Sequence, residues 1–139
     1  MKLIDLEPEF ERWFKGIADE HLGQTLPDGT IQWGGFETDY IAHPDNLAEA
    51  QGLCFLCPKC FLEAEKVRAA GGRMGVHSVE ISFAGRGLQD DQGMRNKDGP
   101  VRWQVSGTGF DDLTVTPSIL VLTGCGYHGF ITNGEVSII

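Results

Sequence analysis

The chain reads Cys-Phe-Leu-Cys-Pro-Lys-Cys over residues 54–60 and Cys-Gly-Tyr-His over residues 125–128. The first stretch contains the pair Cys57 and Cys60, and the second contains the pair Cys125 and His128. Each pair has a two-residue spacer, and 64 residues separate the two pairs. Tetrahedral Zn²⁺ takes four Cys or His ligands, and a two-residue spacer lets one tight turn supply two of them. We therefore predict a zinc site whose ligands are Cys57, Cys60, Cys125 and His128.

Four protein ligands complete the zinc tetrahedron and leave no position for water, which is the pattern of a structural site. Such a site does not form in the unfolded chain, so its binding free energy of ~10–16 kcal/mol becomes folding free energy. We expect structural Zn²⁺ to fasten the first half of the chain to the second.

Cys54 makes the ligand assignment ambiguous, because it also lies two residues from Cys57. The pattern Phe-x-Cys-Pro-x-Cys is typical of the start of a zinc ribbon and favours Cys57 with Cys60. A site of all four cysteines without His128, and iron in a rubredoxin-like site, are alternatives. A disulfide between Cys57 and Cys60 would leave the residues at 125–128 unexplained.

The hydrophobic pattern predicts helices first and strands afterwards. Apolar residues recur at helical spacing over 7–22, a short helix fits 44–51, and a further helix is predicted over 61–70. Apolar and polar residues then alternate over 77–83, and Asn133-Gly134 predicts a tight hairpin. We predict an α+β fold in which N-terminal helices pack on a small, mainly antiparallel β-sheet stapled by a zinc-ribbon-like site.

The remaining segments complete a single predicted domain over residues 1–139. Short strands are predicted at 31–36, around 101–105 and within 113–123. Residues 84–100 have no apolar period, which predicts a flexible loop or an insertion without a core of its own.

Charge and hydropathy narrow the classes of partner. Residues 1–65 hold 13 acidic and 4 basic residues, whereas residues 66–139 hold 7 of each. Because nucleic-acid binding needs a basic surface, direct nucleic-acid binding is disfavoured. The longest aliphatic run is Ile119–Leu122, far shorter than a membrane span, and the first residues do not read as an export signal. We expect a cytoplasmic protein with no membrane contact.

Other polar residues have ordinary explanations at this stage. His77 lies on the apolar side of its predicted strand, which favours a hydrogen-bonded core histidine over a second metal ligand or a base. Glu37, Asp39 and His43 have the spacing of metal ligands, although acidic loops beside a helix start have the same appearance.

The C-terminal part carries a family resemblance. Its motifs are Trp103-x3-Gly107, the segment Leu113-Thr114-x2-Pro117-Ser118-Ile119-Leu120, and Cys125-x2-His128-Gly129-Phe130-Ile131-x2-Gly134. This pattern, over residues 103–136, resembles a family of small phage- and prophage-borne zinc-binding domains of unknown function, some labelled "ammonia monooxygenase". The resemblance implies a small sheet domain made in an infected bacterial cell, with Cys125 and His128 as metal ligands. It implies no activity.

These observations lead to three functional hypotheses. The first is a phage-derived, non-enzymatic zinc protein whose acidic half binds another macromolecule, most simply a protein. The second is a small metal-dependent hydrolase with a second, open metal site built from His77, Glu37, Asp39 or His43. The third is a virion component. The oligomeric state is left open.

Overall fold

The fold is that of a computed structural model, which describes residues 1–122 and 124–139 and gives the backbone alone at 17–24 and 31–37. Ten strands and one α-helix make up this described part, together with 3₁₀ turns at Leu3–Leu6 and Leu47–Glu49. In chain order they are β1 (Glu9–Thr25), β2 (Ile31–Ala42), β3 (Gly52–Leu56), α1 (Pro58–Ala69), β4 (Ser78–Ser82), β5 (Arg95–Asn96), β6 (Gly99–Pro100), β7 (Gln104–Ser106), β8 (Thr114–Leu120), β9 (His128–Thr132) and β10 (Glu135–Ile138).

The strands form two antiparallel four-stranded sheets and one two-stranded ribbon. The first sheet has the order β2-β1-β3-β4, the second has the order β10-β9-β8-β7, and β5 pairs with β6. Buried side chains from both larger sheets form one apolar core, which includes Phe55, Ile81, Ile119 and Ile131. The architecture is therefore mostly β, and the prediction of N-terminal helices packed on one sheet is wrong.

The predicted helix over 7–22 is strand β1. β1 pairs with β2 from Arg12↔Ala42 to Thr25↔Ile31 and with β3 only at Glu9–Glu11. Phe10 and Trp13 are buried, although successive side chains of a strand point to opposite faces. Trp13 packs against Gly52, where an added Cβ would also meet the carbonyl of Ile81. Because β1 buries side chains on both of its faces, its apolar residues recur at three- and four-residue intervals, as they do in a helix. The prediction of a helix over 7–22 is therefore wrong.

Several local predictions are confirmed. The helix predicted over 61–70 is α1, which starts slightly earlier, at Pro58. The alternating segment 77–83 contains β4. Asn133 and Gly134 have φ of 49° and 76° and connect β9 to β10 as a tight turn. The short helix predicted over 44–51 is only a 3₁₀ turn at Leu47–Glu49.

The segment predicted as a loop, 84–100, carries the β5–β6 ribbon. The Arg102 guanidinium donates hydrogen bonds to the carbonyls of Gln89, Gln92 and Met94, which fix this segment to the chain just before β7. Within the described residues no helix has the length and apolar character needed to cross a membrane.

Glu11 is an ionisable side chain buried in the first sheet. It is 4% exposed, and its Oε1 has no hydrogen-bond partner in the described part of the chain. Burial, together with the charges of Glu80 and Glu9, raises the pKa of Glu11 to about 7. The folded protein therefore holds a proton on Glu11 at pH values where the unfolded chain has lost it.

We expect Glu11→Gln to raise the free energy of unfolding at pH 8 and to change it little at pH 4. The pKa of Glu11 is about 7 in the folded state against an ordinary value of 4.5. Below pH 4.5 Glu11 is protonated in both the folded and the unfolded chain, so burying it carries no ionisation cost. As the pH rises through 7, the unfolded chain is increasingly favoured because its Glu11 ionises more readily, and this part of the stability is lost. The gain at pH 8 is at most about 3 kcal/mol. Urea unfolding at both pH values measures it.

Glu65→Gln, on an exposed position of α1, is the matched control and should show no such pH dependence. An equal effect of Glu11→Gln at pH 4 and pH 8 would contradict the assignment of a raised pKa to Glu11.

Candidate metal centre and serine–histidine pair

Four side chains from distant parts of the chain meet at one point. The ligand atoms of Cys57, Cys60, His77 and Cys125 all lie within 4.8 Å of one another. The Sγ atoms of Cys57 and Cys125 are 3.4 Å apart, and His77 Nε2 lies 3.3 Å from Cys125 Sγ. Three sulfurs and one imidazole nitrogen at this spacing could hold a tetrahedral metal ion.

The turn between β3 and α1 supplies two of the thiols. Cys57 is the residue before α1, and Pro58 at the first helical position needs no hydrogen-bond acceptor. Cys60 follows in the first turn of the helix. The main-chain N–H of Cys57 donates to the carbonyl of His77 at 2.8 Å, so the backbone brings the imidazole beside the same turn.

The third thiol comes from the second sheet. Cys125 lies in the connection between β8 and β9. Lys59 Nζ, in the first turn of α1, donates to the carbonyl of Cys125 at 2.7 Å. The cluster therefore ties the start of α1 to the connection that leads into β9.

The His77 ring has the hydrogen-bond arrangement of a metal ligand. Its Nδ1 lies 3.1 Å from the carbonyl of Ser78, which can only accept a hydrogen bond. A proton on Nδ1 leaves the lone pair of Nε2 directed at the cluster, as in metal sites where a backbone carbonyl fixes the histidine tautomer. The hydrogen bonds to Cys125 and Ser78 raise the pKa of His77.

The thiols differ in their acidity. Although burial opposes ionisation, hydrogen bonds with His77 and Cys57 lower the pKa of Cys125 to about 6. Burial, with the neighbouring thiols of Cys125 and Cys57, raises the pKa of Cys60 to about 12. Three thiols this close cannot all ionise without a cation between them, and a divalent metal would supply that charge.

The structure brings together three of the four predicted ligands, Cys57, Cys60 and Cys125. The fourth member of the cluster is His77 and not His128, whose imidazole lies against Ser118. Cys54 lies on β3 outside the cluster. His77 is exposed, so its interpretation as a core histidine is wrong. No fixed spacing links His77 to the thiols, because only the pairing of β3 with β4 brings it to Cys57.

The other predicted ligands do not form a second metal group in the described residues. Asp39 accepts a hydrogen bond from Gln92 at 3.1 Å and lies 3.3 Å from Lys15 Nζ. His43 Nδ1 is 3.1 Å from the carbonyl of Phe10. The side chain of Glu37 falls outside the described residues.

Ser118 and His128 form a second polar constellation, which we call the Ser118–His128 pair. His128 Nε2 lies 3.0 Å from Ser118 Oγ. This is hydrogen-bond distance, as required between a nucleophile and its general base. In the part of the chain that the structure describes, no side chain is hydrogen-bonded to His128 Nδ1. Among the described side chains, the arrangement is therefore a pair.

Two strands of the second sheet hold the pair on its outer face. Ile119 on β8 and Ile131 on β9 are buried, so the alternating residues on each strand, Ser118 and His128 among them, face outward. Leu120 is the direct cross-strand partner of His128. Trp103 Nε1 donates to the carbonyl of Ser118 at 3.2 Å and fixes the strand at the hydroxyl.

The metal cluster and the pair share one short stretch of chain. Cys125 and His128 are three residues apart, and Tyr127 between them is fully buried. The Tyr127 hydroxyl donates to the carbonyl of Ser137 on β10 at 3.1 Å. The sequence pattern Cys-x2-His thus reflects two neighbouring sites, and Ser118 was missed because its partner comes from another strand.

We expect purified protein to hold one zinc ion per chain. His77→Ala should lower zinc affinity about 100-fold or more and reduce the thermal midpoint, because it removes one of four ligands. His128→Ala should keep the full zinc content. Elemental analysis after dialysis against a chelator, with a thermal melt of each variant, tests both statements.

His43→Ala, which removes a histidine outside the cluster, is the matched control. Loss of zinc in His128→Ala but not in His77→Ala would refute the ligand set of the structure in favour of the Cys57, Cys60, Cys125 and His128 set.

Comparison with protein families matches the C-terminal part of the chain. A family model described as BubE, bacterial ubiquitination-like system serine protease, matches residues 84–139, which is less than half of the chain. The matched region contains Ser118, Cys125 and His128. It does not contain the other three members of the cluster, which are Cys57, Cys60 and His77. No curated protein and no solved structure matches the chain. The description of the matched family names a bacterial system, so the match does not support the predicted phage origin. The C-terminal part of this chain is thus similar to a bacterial serine-protease family.

Proposed function

We propose that this chain is a serine hydrolase in which Ser118 is the nucleophile and His128 is the general base. The observation that carries the proposal is the 3.0 Å distance between His128 Nε2 and Ser118 Oγ on the open face of the second sheet. Both side chains are half-buried, so a substrate can reach the hydroxyl while the surrounding strands restrict its motion.

The reaction follows from the geometry of the pair. His128 Nε2 accepts the proton of the Ser118 hydroxyl as Oγ attacks a substrate carbonyl, and the imidazolium returns that proton to the leaving group. Water then hydrolyses the acyl-serine ester, with His128 again accepting a proton. The hydroxyl of Ser118 is regenerated, so no other reagent is consumed.

The family match supports a peptide bond as the bond that is cleaved. The matched family is described as a serine protease, and the match includes both members of the pair. On this reading the substrate is a protein component of a bacterial ubiquitination-like system. This proposal replaces the earlier hypothesis of a non-enzymatic binding protein.

We assign the Cys3His cluster to structural Zn²⁺. Three thiols and an imidazole are the donor set of closed zinc sites, which leave no position for a water nucleophile. The metal would hold the start of α1 against the connection that carries Cys125 and leads to His128. A metal-dependent hydrolase with an open site has no comparable support among the described residues.

The prediction of a protein partner for the acidic first half, like that of a cytoplasmic location, stays a proposal. The acidic residues lie partly on the long β1–β2 hairpin, which pairs with the rest of the first sheet only at Glu9–Glu11. A substrate protein with a basic surface is the partner that this charge would favour.

The test is covalent labelling with a small fluorophosphonate, which reacts with activated serines. We expect one label on Ser118 by peptide mapping, and we expect Ser118→Ala to abolish it. His128→Ala should slow labelling about 100-fold or more, because the base is lost while the nucleophile stays.

Ser106→Ala is the matched control, since Ser106 lies exposed on β7 of the same sheet. It should label at the wild-type rate. Zinc content and circular dichroism of each variant confirm that folding is unchanged. Wild-type protein that keeps its zinc but takes no label at Ser118 would refute the proposal.

A further inference from the structure

The first sheet carries carboxylates on the face that is turned away from the core. Side chains alternate along a strand, and directly paired residues of neighbouring strands face the same way. Glu9, Cys54 and Glu80 are paired in this manner and form one row across β1, β3 and β4. Phe55 and Ile81, which follow Cys54 and Glu80 in the chain, point into the core. The Glu9–Cys54–Glu80 row therefore lies on the outer face.

Glu11 lies on the same face, two residues along β1 from Glu9. Its cross-strand partner is Gly52, which has no side chain to meet the carboxyl. Glu11 is 4% exposed, and its Oε1 has no hydrogen-bond partner in the described part of the chain. Besides burial, the charges of Glu80 and Glu9 act on Glu11 and raise its pKa. A buried, unpaired carboxyl directed at two others ionises easily only beside a cation.

An open recess of about 430 Å³ lies beside the row. Its lining comes from the outer face and from the chain before β1, and includes Glu7, Pro8, Glu9, Cys54, Leu56 and Ser78. The segment 84–100 covers the other end of the outer face, where Met94 N–H donates to Ser82 Oγ at 2.8 Å. The end that holds the recess stays accessible from solvent.

The described residues supply no ion pair for the inner carboxyls, Glu11 and Glu80. Lys15, on the same face of β1, is held 3.3 Å from each of two aspartates of other segments. His43 Nδ1 lies 3.5 Å from Glu9, at the rim of the row. The negative charge of the outer face is therefore available to a cation from outside the chain.

We propose that this recess binds an arginine side chain of a protein partner, with the guanidinium between Glu9 and Glu80. This inference rests on the proposed protein partner of the acidic first half and is independent of the hydrolase function. β1 and β4 each lie about 4.8 Å from β3, so carboxylates approach the recess from both sides. A guanidinium carries donors on both of its ends and is weakly hydrated, whereas an ammonium is a compact, strongly hydrated charge. Pro8 and Leu56 offer apolar surface to the aliphatic part of the arginine.

The affinity should depend on pH through Glu11. The pKa of Glu11 is about 7 in the free protein, and a guanidinium favours the ionised carboxyl, so binding should tighten from pH 6 to pH 8. Cys54 stays neutral over this range, because burial raises its pKa above the usual 9.0. Burial also raises the pKa of Glu80, while Glu9 is exposed beside His43. Glu11→Gln should therefore remove most of the change with pH.

The experiment titrates wild-type protein at pH 8 with three capped peptides that differ only in the central residue of Gly-Ser-Gly-x-Gly-Ser-Gly. The central residue is arginine, lysine or citrulline, which is the neutral isostere of arginine. Two-dimensional NMR follows the backbone amides of Cys54 and Glu80. We expect the arginine peptide to bind about tenfold more tightly than the citrulline peptide and about threefold more tightly than the lysine peptide.

Variants locate the binding on the outer face. Glu80→Gln should weaken binding of the arginine peptide about tenfold, because one of the two paired charges is lost. Glu65→Gln, on an exposed position of α1, is the matched control and should leave the affinity unchanged. Ser118→Ala should also bind the arginine peptide as wild type does. Circular dichroism and zinc content show whether each variant is folded, and the citrulline comparison needs no variant.

The outcomes separate this proposal from the hydrolase function. Equal affinities for the arginine peptide and either of the other two peptides would overturn the arginine site. Unchanged affinity in folded Glu80→Gln, or amide shifts that lie away from β3 and β4, would overturn it as well. Protein that takes the fluorophosphonate label but binds no arginine peptide refutes the docking site alone, and protein with the opposite behaviour refutes the hydrolase function alone.

Discussion

Cys125 has to reach the turn between β3 and α1, and this contact constrains much of the structure. Its sulfur lies 3.4 Å from that of Cys57 and 3.3 Å from the imidazole of His77. Three thiols and an imidazole lie within 4.8 Å of one another there, and a cation between them would compensate the charge of the thiolates. A metal ion at this point would join the first sheet to the second, and its binding free energy would contribute directly to folding.

The same contact also constrains the position of His128, the proposed general base. His128 follows Cys125 by three residues, and the buried Tyr127 between them is anchored on β10 through its hydroxyl. The imidazole of His128 is therefore held from the metal cluster on one side and from the β9–β10 ladder on the other. Ser118 is held separately, by β8 and by the indole of Trp103. In the proposed hydrolase, a metal ion at the cluster would position the Ser118–His128 pair and would take no part in the chemistry.

The local part of the fold could be predicted from the sequence, and the long-range part could not. The helix α1 follows from the helical spacing of Ala64, Val67 and Ala70, and the turn at Asn133-Gly134 follows from a dipeptide that accepts positive φ. Both are properties of a few neighbouring residues. Strand β1 does not follow in this way. Phe10 and Trp13 are buried on opposite faces of a strand, so their spacing imitates a helix. Only the pairing of β1 with β2 and β3 decides between the two conformations.

The residues of the candidate site also fall into those predicted from local spacing and those found only in the tertiary structure. From the sequence alone, Cys57 and Cys60 are predicted as metal ligands because a two-residue spacer lets one turn supply both thiols, and Cys125 is predicted from its spacing to His128. The tertiary structure decided that His77 joins them and that His128 faces Ser118. Both decisions depend on which strands lie side by side: β3 with β4 in one case and β8 with β9 in the other. Strand pairing of this kind is set by the burial of the whole core, and no short motif records it.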